Sequence, residues 1–419
     1  MIAAMNFAAW HDLTPEDAAR HLLARVASLS PDQRRATLAS LPDEAALTAR
    51  FAASDRSSPF GAVPYFAKDL FDVAGEPTRA GSTFLPEVRP LPTRDSALVA
   101  RLRTLGAVLA GKSHLHEFAY GLTGENPHYG DCEHPHFPGR TTGGSSSGSA
   151  ALVAAGVVPF ALGTDTGCSV RLPAAFCGLH GFRLTPHDEW ICDVFPLAPT
   201  FDTAGWFTTT AADMRHALGA LIGWRQSERE PRGAYLAWPG MDPEVASACQ
   251  RTADTFCLPA EAAMQRDLHE AFVPAADAYS TIVAHEAFAG HRAWFGQYRE
   301  RYDPAVRARI EAGSRLTGQQ VAAAKATLAS VRLKWTQYFL TFDFLVLAAA
   351  PCAALTKAEC TLANRQRILA LTAPASVGGL PVLTLPVPLP GGLTAGLQVI
   401  VNHPQSPVLP WVLGRKEFS

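Results

Sequence analysis

Apolar runs separated by small or polar punctuation divide this chain into short buried strands and amphipathic helices. Near the N-terminus, Thr14-Pro15-Glu16-Asp17 reads as a cap, a proline at the first helical position and early acid. Ala18, Leu22, Leu23 and Val26 then recur at helical spacing. Ser30-Pro31-Asp32-Gln33 repeats the signal with a capping box and opens a second helix. Residues 1–58 are therefore expected to form a helical N-terminal arm packed on the main body. Residues 63–67 are apolar and predict a strand that ends at Lys68. Asp95 is expected to cap a helix through Leu98, Leu102 and Leu105, stopped by Gly106, with another strand over 107–110. Strand, helix and strand in succession predict a mixed or parallel sheet under helices, an α/β fold.

The stretch that organises the rest is 141–171, TTGGSSSGSAALVAAGVVPFALGTDTGCSVR. Gly143 and Gly144 mark a turn, because glycine is too permissive to hold an element interior. Three serines follow, then a short helix ending at Gly156, an apolar strand over 157–162 and a second small-residue turn over 163–169. A flexible linker has no reason to flank an apolar core segment with hydroxyls. Beyond the segment around 202–207 the composition shifts to charged and amphipathic helices over roughly 225–340. Three more strands, over 344–350, 382–387 and 397–401, return the chain to the sheet. Residues 59–419 thus read as one large α/β/α domain with a central mixed β-sheet.

Composition narrows the function. Of 419 residues 48% are hydrophobic and the formal net charge is −2, so a large core is available and nucleic-acid binding has no electrostatic footprint. The N-terminus lacks the charged and apolar regions of a signal peptide, and no apolar run reaches the length of a membrane helix. Eight scattered cysteines suggest free thiols and a cytoplasmic location. His128, Cys132, His134 and His136 resemble metal ligands, but their spacing fits no common zinc pattern. His285-Glu286 with His291 fails as a zincin motif, since a separation of six does not put two rings on one helix face. No metal is expected.

The chemistry is carried by Lys68, Ser145 and Ser169. A serine needs a base to become a nucleophile. His180 is the nearest histidine, and a Ser-His-Asp site is one option; the surroundings of Ser169 do not form a G-x-S-x-G elbow. The other option is lysine, which acts as a base when burial disfavours its ammonium form. Ser145 would then pass the proton from Ser169 to Lys68. The backbone amides of Thr166, Gly167, Cys168 and Ser169 would face an oxyanion.

GAVPYFAKD around Lys68, TGGSSSGSAALVAAG around Ser145 and GTDTGCSVRLPAAFCGLHGFR around Ser169 resemble the amidase signature family. Ser145 and Ser169 also stand at that family's interval, and weaker similarity resumes at 344–351 and 372–401, where Gly378-Gly379-Leu380-Pro381 and Gly396-Leu397-Gln398 fit. The resemblance implies a Ser–cisSer–Lys triad: Ser169 as the acylated nucleophile, Ser145 as the relay with a cis peptide bond, and Lys68 as the base. Ser146, Asp165 and Arg171 match positions that orient the relay, and Gly143, Gly144 and Tyr120 are candidates for contact with substrate. Cys168 and Ser147 stand where the family often has glycine. The Tyr-Gly-Arg run of tRNA-amidotransferase subunits is absent, and the segment around Phe195-Pro196-Leu197-Ala198-Pro199 and 201–207 looks more like stand-alone small-amide amidases of the indoleacetamide type.

The expected activity is cofactor-free hydrolysis of the C–N bond in a small or aryl carboxamide. Biuret- or urea-like amides, carbamates and esters are variants of the same chemistry. The alternatives are a glutamine-hydrolysing amidotransferase subunit and, in another class, a non-catalytic scaffold that keeps the fold. The expected partner is a small-molecule amide, without nucleic acid or membrane, and a homodimer follows from base rates alone.

Overall fold

A computed structural model describes residues 5–418. Eleven strands form one sheet: β1 (Leu38–Ser40), β2 (Pro64–Lys68), β3 (Val108–Ser113), β4 (Phe160–Asp165), β5 (His180–Arg183), β6 (Thr203–Thr208), β7 (Gly233–Tyr235), β8 (Leu258–Pro259), β9 (Phe344–Ala348), β10 (Val382–Pro388) and β11 (Thr394–Val401). Their spatial order is β1-β3-β2-β4-β6-β5-β10-β11-β9-β7-β8. The pairs β2–β3, β2–β4, β7–β8 and β7–β9 are parallel. The pairs around β5, β6, β10 and β11 are antiparallel, so the sheet is mixed, as the pattern of elements implied.

Period-two alternation gives the sheet two apolar faces. Tyr65, Ala67, Phe160, Leu162 and Trp206 enter one core, with Leu98 and Leu102, Met214 and Leu218, and Ile282 packed above them. Their neighbours Phe66, Ala161 and Phe207 enter the opposite core, with Trp10, Leu22, Val26 and Phe51 of the N-terminal helices and Ala150 and Val153 of the helix Ser147–Ala154. Helices on both faces make the α/β/α arrangement.

Several boundaries differ from the pattern-based expectation. Thr14 and Ser30 cap their helices, the latter with the capping box. The helix Ala97–Thr104, however, is preceded by Ser96, while Asp95 accepts from the Ala74 N–H and pairs with Arg103. The arm is not purely helical either, because β1 lies within it and pairs antiparallel with β3. The strand expected over 157–162 is instead β4, which continues through Gly163 and Thr164 to Asp165 because those small and polar residues pair with β6. Strands β5 and β6, and the short β7 and β8 within the segment expected to be helical, have no counterpart in the pattern-based expectation.

Helices dominate residues 243–339, and glycines there separate tolerance from close packing. Gly313 ends the helix Pro304–Gly313 against the helix Ala275–His291, where an added Cβ would lie 2.0 Å from the Ala284 carbonyl oxygen. Gly290 has nothing within 4 Å of that position. We expect Gly313→Ala to destabilise the fold by about 1–3 kcal/mol through overpacking. Gly290→Ala should stabilise it by about 0.5–1 kcal/mol through helix propensity. Urea denaturation of both variants checks the opposite signs.

Candidate active site

Lys68 is the last residue of β2 and is completely buried. Its Nζ lies 2.8 Å from Ser145 Oγ, 3.0 Å from Ser146 Oγ and 2.7 Å from Thr164 Oγ1, with a donor to each hydroxyl in the protonated form. Burial lowers the Lys68 pKa to about 7, against the opposing pull of Asp165, Asp202 and Cys168. A neutral amine has two donors and one lone pair, so one of the three hydroxyls must point its proton at Nζ. Ser146 is not suited to that, because its hydroxyl donates to the Thr164 carbonyl at 3.1 Å. Ser145 and Thr164 are left.

The serines arrive on the turn that precedes the helix Ser147–Ala154. Gly143 has φ +76°, and the bond between Gly144 and Ser145 is cis. An added Cβ on Gly144 would come within 2.8 Å of the Gly124 nitrogen, so the turn lies flat against the preceding loop. Ser145 accepts the His116 N–H on its carbonyl at 3.1 Å. The Ser146 N–H donates to the Ser169 carbonyl at 3.3 Å, which joins the two serine segments. Ser147 begins the helix, and Ser169 is nearly buried.

The loop 165–169 is held by a buried ionic clamp. Asp165 accepts the Val170 and Arg171 N–H groups on Oδ2 at 3.0 and 3.2 Å. It also takes Arg171 Nε at 3.1 Å, Arg171 Nη2 at 2.9 Å and Arg183 Nη1 at 3.0 Å. Burial alone would push this carboxyl up, but the two guanidiniums and these hydrogen bonds outweigh it and hold it well below the usual carboxylate range. Arg171 extends the clamp to the Gly167 carbonyl, Ser376 Oγ, Gln398 Oε1 and the Thr372 carbonyl. Gly167 has no room for a side chain: an added Cβ would sit 2.4 Å from Tyr279 Oη. Thr166 donates to Asp202 at 2.7 Å, and Asp202 in turn accepts the Leu197 and Ala198 N–H groups. The Cys168 side chain belongs to the apolar core, and burial pushes its thiol to about 12.

A cavity of about 120 Å³ opens beside Thr164, Thr166 and Asp202 and is otherwise walled mainly by apolar groups, including Leu70, Ile191 and Phe195. Thr164 is therefore shared between Lys68 and the cavity. Phe195, Pro196, Leu197 and Pro199 also border a wider space of about 510 Å³ against the helix Ala275–His291. Ala119 lines the smaller cavity next to Tyr120, whose carbonyl is taken by Arg309.

Other sequence candidates go elsewhere. His180 pairs with Thr208, in the row of Phe160, whereas Arg183 shares the row of Gly205 and Gly163. Three residues along a strand put His180 roughly 10 Å from that end of the sheet. His128 contacts Glu117, while His134 and His136 lie side by side with their Nε2 atoms turned to the carbonyls of Phe176 and Ala154, and among the described residues these side chains form no metal-holding group. Glu286 accepts from Thr200, and His291 pairs with the Tyr302 hydroxyl. Sequence reasoning missed Thr164, Asp202, Arg183, Ser376 and Gln398. A signal existed for one of them: Gln398 interrupts the otherwise apolar run of β11, which only a buried partner permits.

Comparison with known proteins gives a consistent picture. A family model described as Amidase matches residues 17–237, more than half of the chain. An indoleacetamide hydrolase of Pseudomonas savastanoi is 39% identical over 235 residues, 54% of this chain and 51% of the relative. One from Pseudomonas syringae pv. syringae is 42% identical over 45% of this chain and 43% of the relative. The matches thus span about half the length of these curated relatives or less. A solved structure described as an amidase superposes with a TM-score of 0.85 at 28% identity, over 98% of each chain.

The clamp has a measurable consequence. Asp165→Asn would leave two buried guanidiniums without a counter-charge, and we expect a loss of about 3–5 kcal/mol in denaturant unfolding. Because the native carboxyl is held below its unfolded value, its contribution is present above the unfolded pKa and is lost only as pH falls through the native one. The stability difference between wild type and variant should therefore stay level from pH 8 down to about 5 and shrink only in stronger acid.

Proposed function

This chain belongs to the amidase family, and on that premise we propose that it hydrolyses the C–N bond of a small or aryl carboxamide through an acyl-enzyme on Ser169. The observation that carries this reading is a lysine amine buried among hydroxyls, 2.8 Å from Ser145, with its pKa lowered by burial to about 7. In the first step Ser169 Oγ attacks the amide carbon. Its proton passes to Ser145 Oγ, and the Ser145 proton passes to Lys68 Nζ. The oxyanion is held by backbone N–H groups of the loop from Thr166 to Ser169, which the Asp165–Arg171 clamp keeps in place. The tetrahedral adduct then collapses. The C–N bond breaks, and the proton on Lys68 returns through Ser145 to the departing nitrogen. Water then attacks the ester carbon, its proton passes through Ser145 to Lys68, and as the acyl C–O bond breaks that proton returns through Ser145 to Ser169 Oγ, freeing the acid.

The mostly apolar wall of the cavity beside Thr164 supports an aryl or alkyl acyl group. The printed activity of the relatives, indoleacetamide hydrolysis, is in keeping with that class. Ester and carbamate cleavage would use the same groups. The reading carries with it a homodimer, the commonest closed assembly, and a reducing, cytoplasmic setting that suits eight free cysteines.

Hydrolysis of aliphatic, aryl, indolic and ureido amides and of glutamine by the purified protein alone tests the proposal. Ammonia release from glutamine and from no other amide would favour an amidotransferase subunit. Ser169→Ala should abolish turnover and labelling by a fluorophosphonate while leaving stability within about 1 kcal/mol, since a polar loop-end hydroxyl adds little packing. Labelling that persists in this variant would place the nucleophile elsewhere.

A pH profile tests the base separately. Below its pKa Lys68 holds a proton and accepts none, so kcat/KM should rise with pH through about 7 and then level off. Lys68→Ala should lose orders of magnitude at neutral pH and recover in part in alkali. Near-normal neutral activity in Lys68→Ala would rule out lysine as the base.

A further inference from the structure

Two cavities meet at one short stretch of loop. The smaller, about 120 Å³, opens beside Thr164 and Thr166, so it lies against the hydroxyl that faces Lys68 and the start of the loop that ends at Ser169. The larger, about 510 Å³, lies against the helix Ala275–His291 and has a mostly apolar lining. Phe195, Pro196, Leu197 and Pro199 border both, and the two spaces share no other wall residue among the described residues. Pockets that enclose whole small molecules run to about 300–1,000 Å³. The smaller cavity falls short of that range, and the larger lies within it.

The wall between them is held in place along its length. Val194 bridges to Phe71, and the Phe195 N–H donates to the Leu70 carbonyl at 2.9 Å. Leu197 and Ala198 give their N–H groups to Asp202, each at 2.9 Å, and Thr200 donates its N–H to Glu286 at 3.0 Å. Two prolines between these anchors fix their own φ. Pro196 and Pro199 are exposed, whereas Phe195 and Leu197 are buried. The Phe195 ring is the largest side chain of the four and has partners on both sides. Phe118, next to the Ala119 that lines the smaller cavity, has its ring centroid 5.7 Å away. From the larger cavity His291 stands T-shaped to it at 6.0 Å, and the Arg89 guanidinium lies 5.8 Å from the ring centroid. Arg89 is itself fixed by a bidentate pair with Asp72 at 2.6 and 2.7 Å.

Resting on the amidase reading, we propose that Phe195 sets the size of the acyl group by closing the larger cavity off from the smaller. The substrate class is then an amide with a compact acyl part, a short alkyl or single-ring group, and a long chain is refused. The anchored ring ends the space beside Thr164, so a chain that outgrows the smaller cavity meets a wall that does not yield. The space beyond the ring is apolar and of ligand size. A shorter side chain at position 195 joins it to the smaller cavity, and a longer apolar chain gains favourable burial there.

Methyl alkylphosphonofluoridates with ethyl, propyl, butyl, hexyl and octyl chains on phosphorus read acyl size at the nucleophile without a known substrate. Ser169 Oγ bonds to phosphorus, fluoride departs and the serine proton goes to the relay base. In the wild-type protein we expect the second-order rate constant of Ser169 labelling to fall about tenfold or more from propyl to octyl, the scale on which a closed apolar site rejects added methylenes. Phe195→Ala should raise the octyl-to-propyl ratio by about 10- to 100-fold, since each newly buried methylene is worth about fourfold. Phe195→Leu, a milder truncation, should move the ratio the same way by about three- to tenfold, and it decides the test if the alanine variant does not fold. A wild-type rate that holds or rises through octyl, or a ratio that stays level in the folded variants, overturns the partition. Labelling of Ser169 by every chain alike removes the partition and leaves the amidase reading intact. A Ser169 that no chain labels, in a protein that hydrolyses no amide, removes both.

Discussion

A primary amine enclosed by hydroxyls, with no carboxylate in contact, is the constraint on which the rest of this molecule turns. Lys68 ends a strand whose five residues are all buried, so its head group has no route to solvent. An ammonium there forfeits hydration, and hydroxyl dipoles return only part of it. Had the nearest partner been a carboxylate, the attraction would have kept the proton on nitrogen. Instead Ser145, Ser146 and Thr164 supply hydrogen bonds of either polarity, which suit the amine as well as the ammonium. The site can therefore change protonation state without rearranging its neighbours.

The nearby acid Asp165 would spoil this balance if its charge were free. It is the largest influence working against burial at Lys68. Arg171 and Arg183 both sit on it, and the trio carries one net positive charge, so its carboxylate is more than balanced. The same clamp has a mechanical role. It caps the amides of Val170 and Arg171, takes the Gly167 carbonyl through Arg171, and anchors everything to Ser376 and Gln398 in the C-terminal part of the chain. One buried ion set thus quiets the field at the lysine and shapes the loop beside it. Asp165 and Arg171 are satisfied almost throughout, which makes their desolvation tolerable, whereas Arg183 uses only Nη1 and leaves Nε and Nη2 buried without a partner.

Those two functions differ in how far they can be read from sequence. Lys68, Ser145 and Ser169 stand in short runs of small residues beside apolar strands, and residue type alone marks them as unusual. The sheet is similarly legible, since apolar runs bounded by glycine and proline locate β2, β9, β10 and β11. Failures cluster where polar residues belong to strands. Gly163, Thr164 and Asp165 read as a turn because no period argument shows that Thr164 answers to Lys68 or Asp165 to two arginines. Asp95 read as a cap because its pairing with Arg103 and the Ala74 amide depends on a loop closing back. Ser376 was invisible for a further reason. Its helix contains Pro374 and has buried residues almost all round near its C-terminal end, so no amphipathic stripe announces it.

Distance along the sheet also explains why a lysine rather than a histidine faces the serines. The histidine nearest to Ser169 in sequence, His180, begins β5, and the antiparallel register carries it away from the row that holds Arg183, Gly205 and Gly163. Its neighbourhood is dry and lowers its pKa to about 4, which makes it a neutral core residue. At Lys68 the same burial acts on a group whose ordinary pKa is far higher, and the fall ends near neutrality instead of far below it. A single physical effect, loss of water, therefore silences the histidine and brings the lysine into the range where proton exchange with an alcohol is useful. On the proposed relay, the choice of base follows from where each side chain starts on the pKa scale and from which end of the sheet its strand presents it.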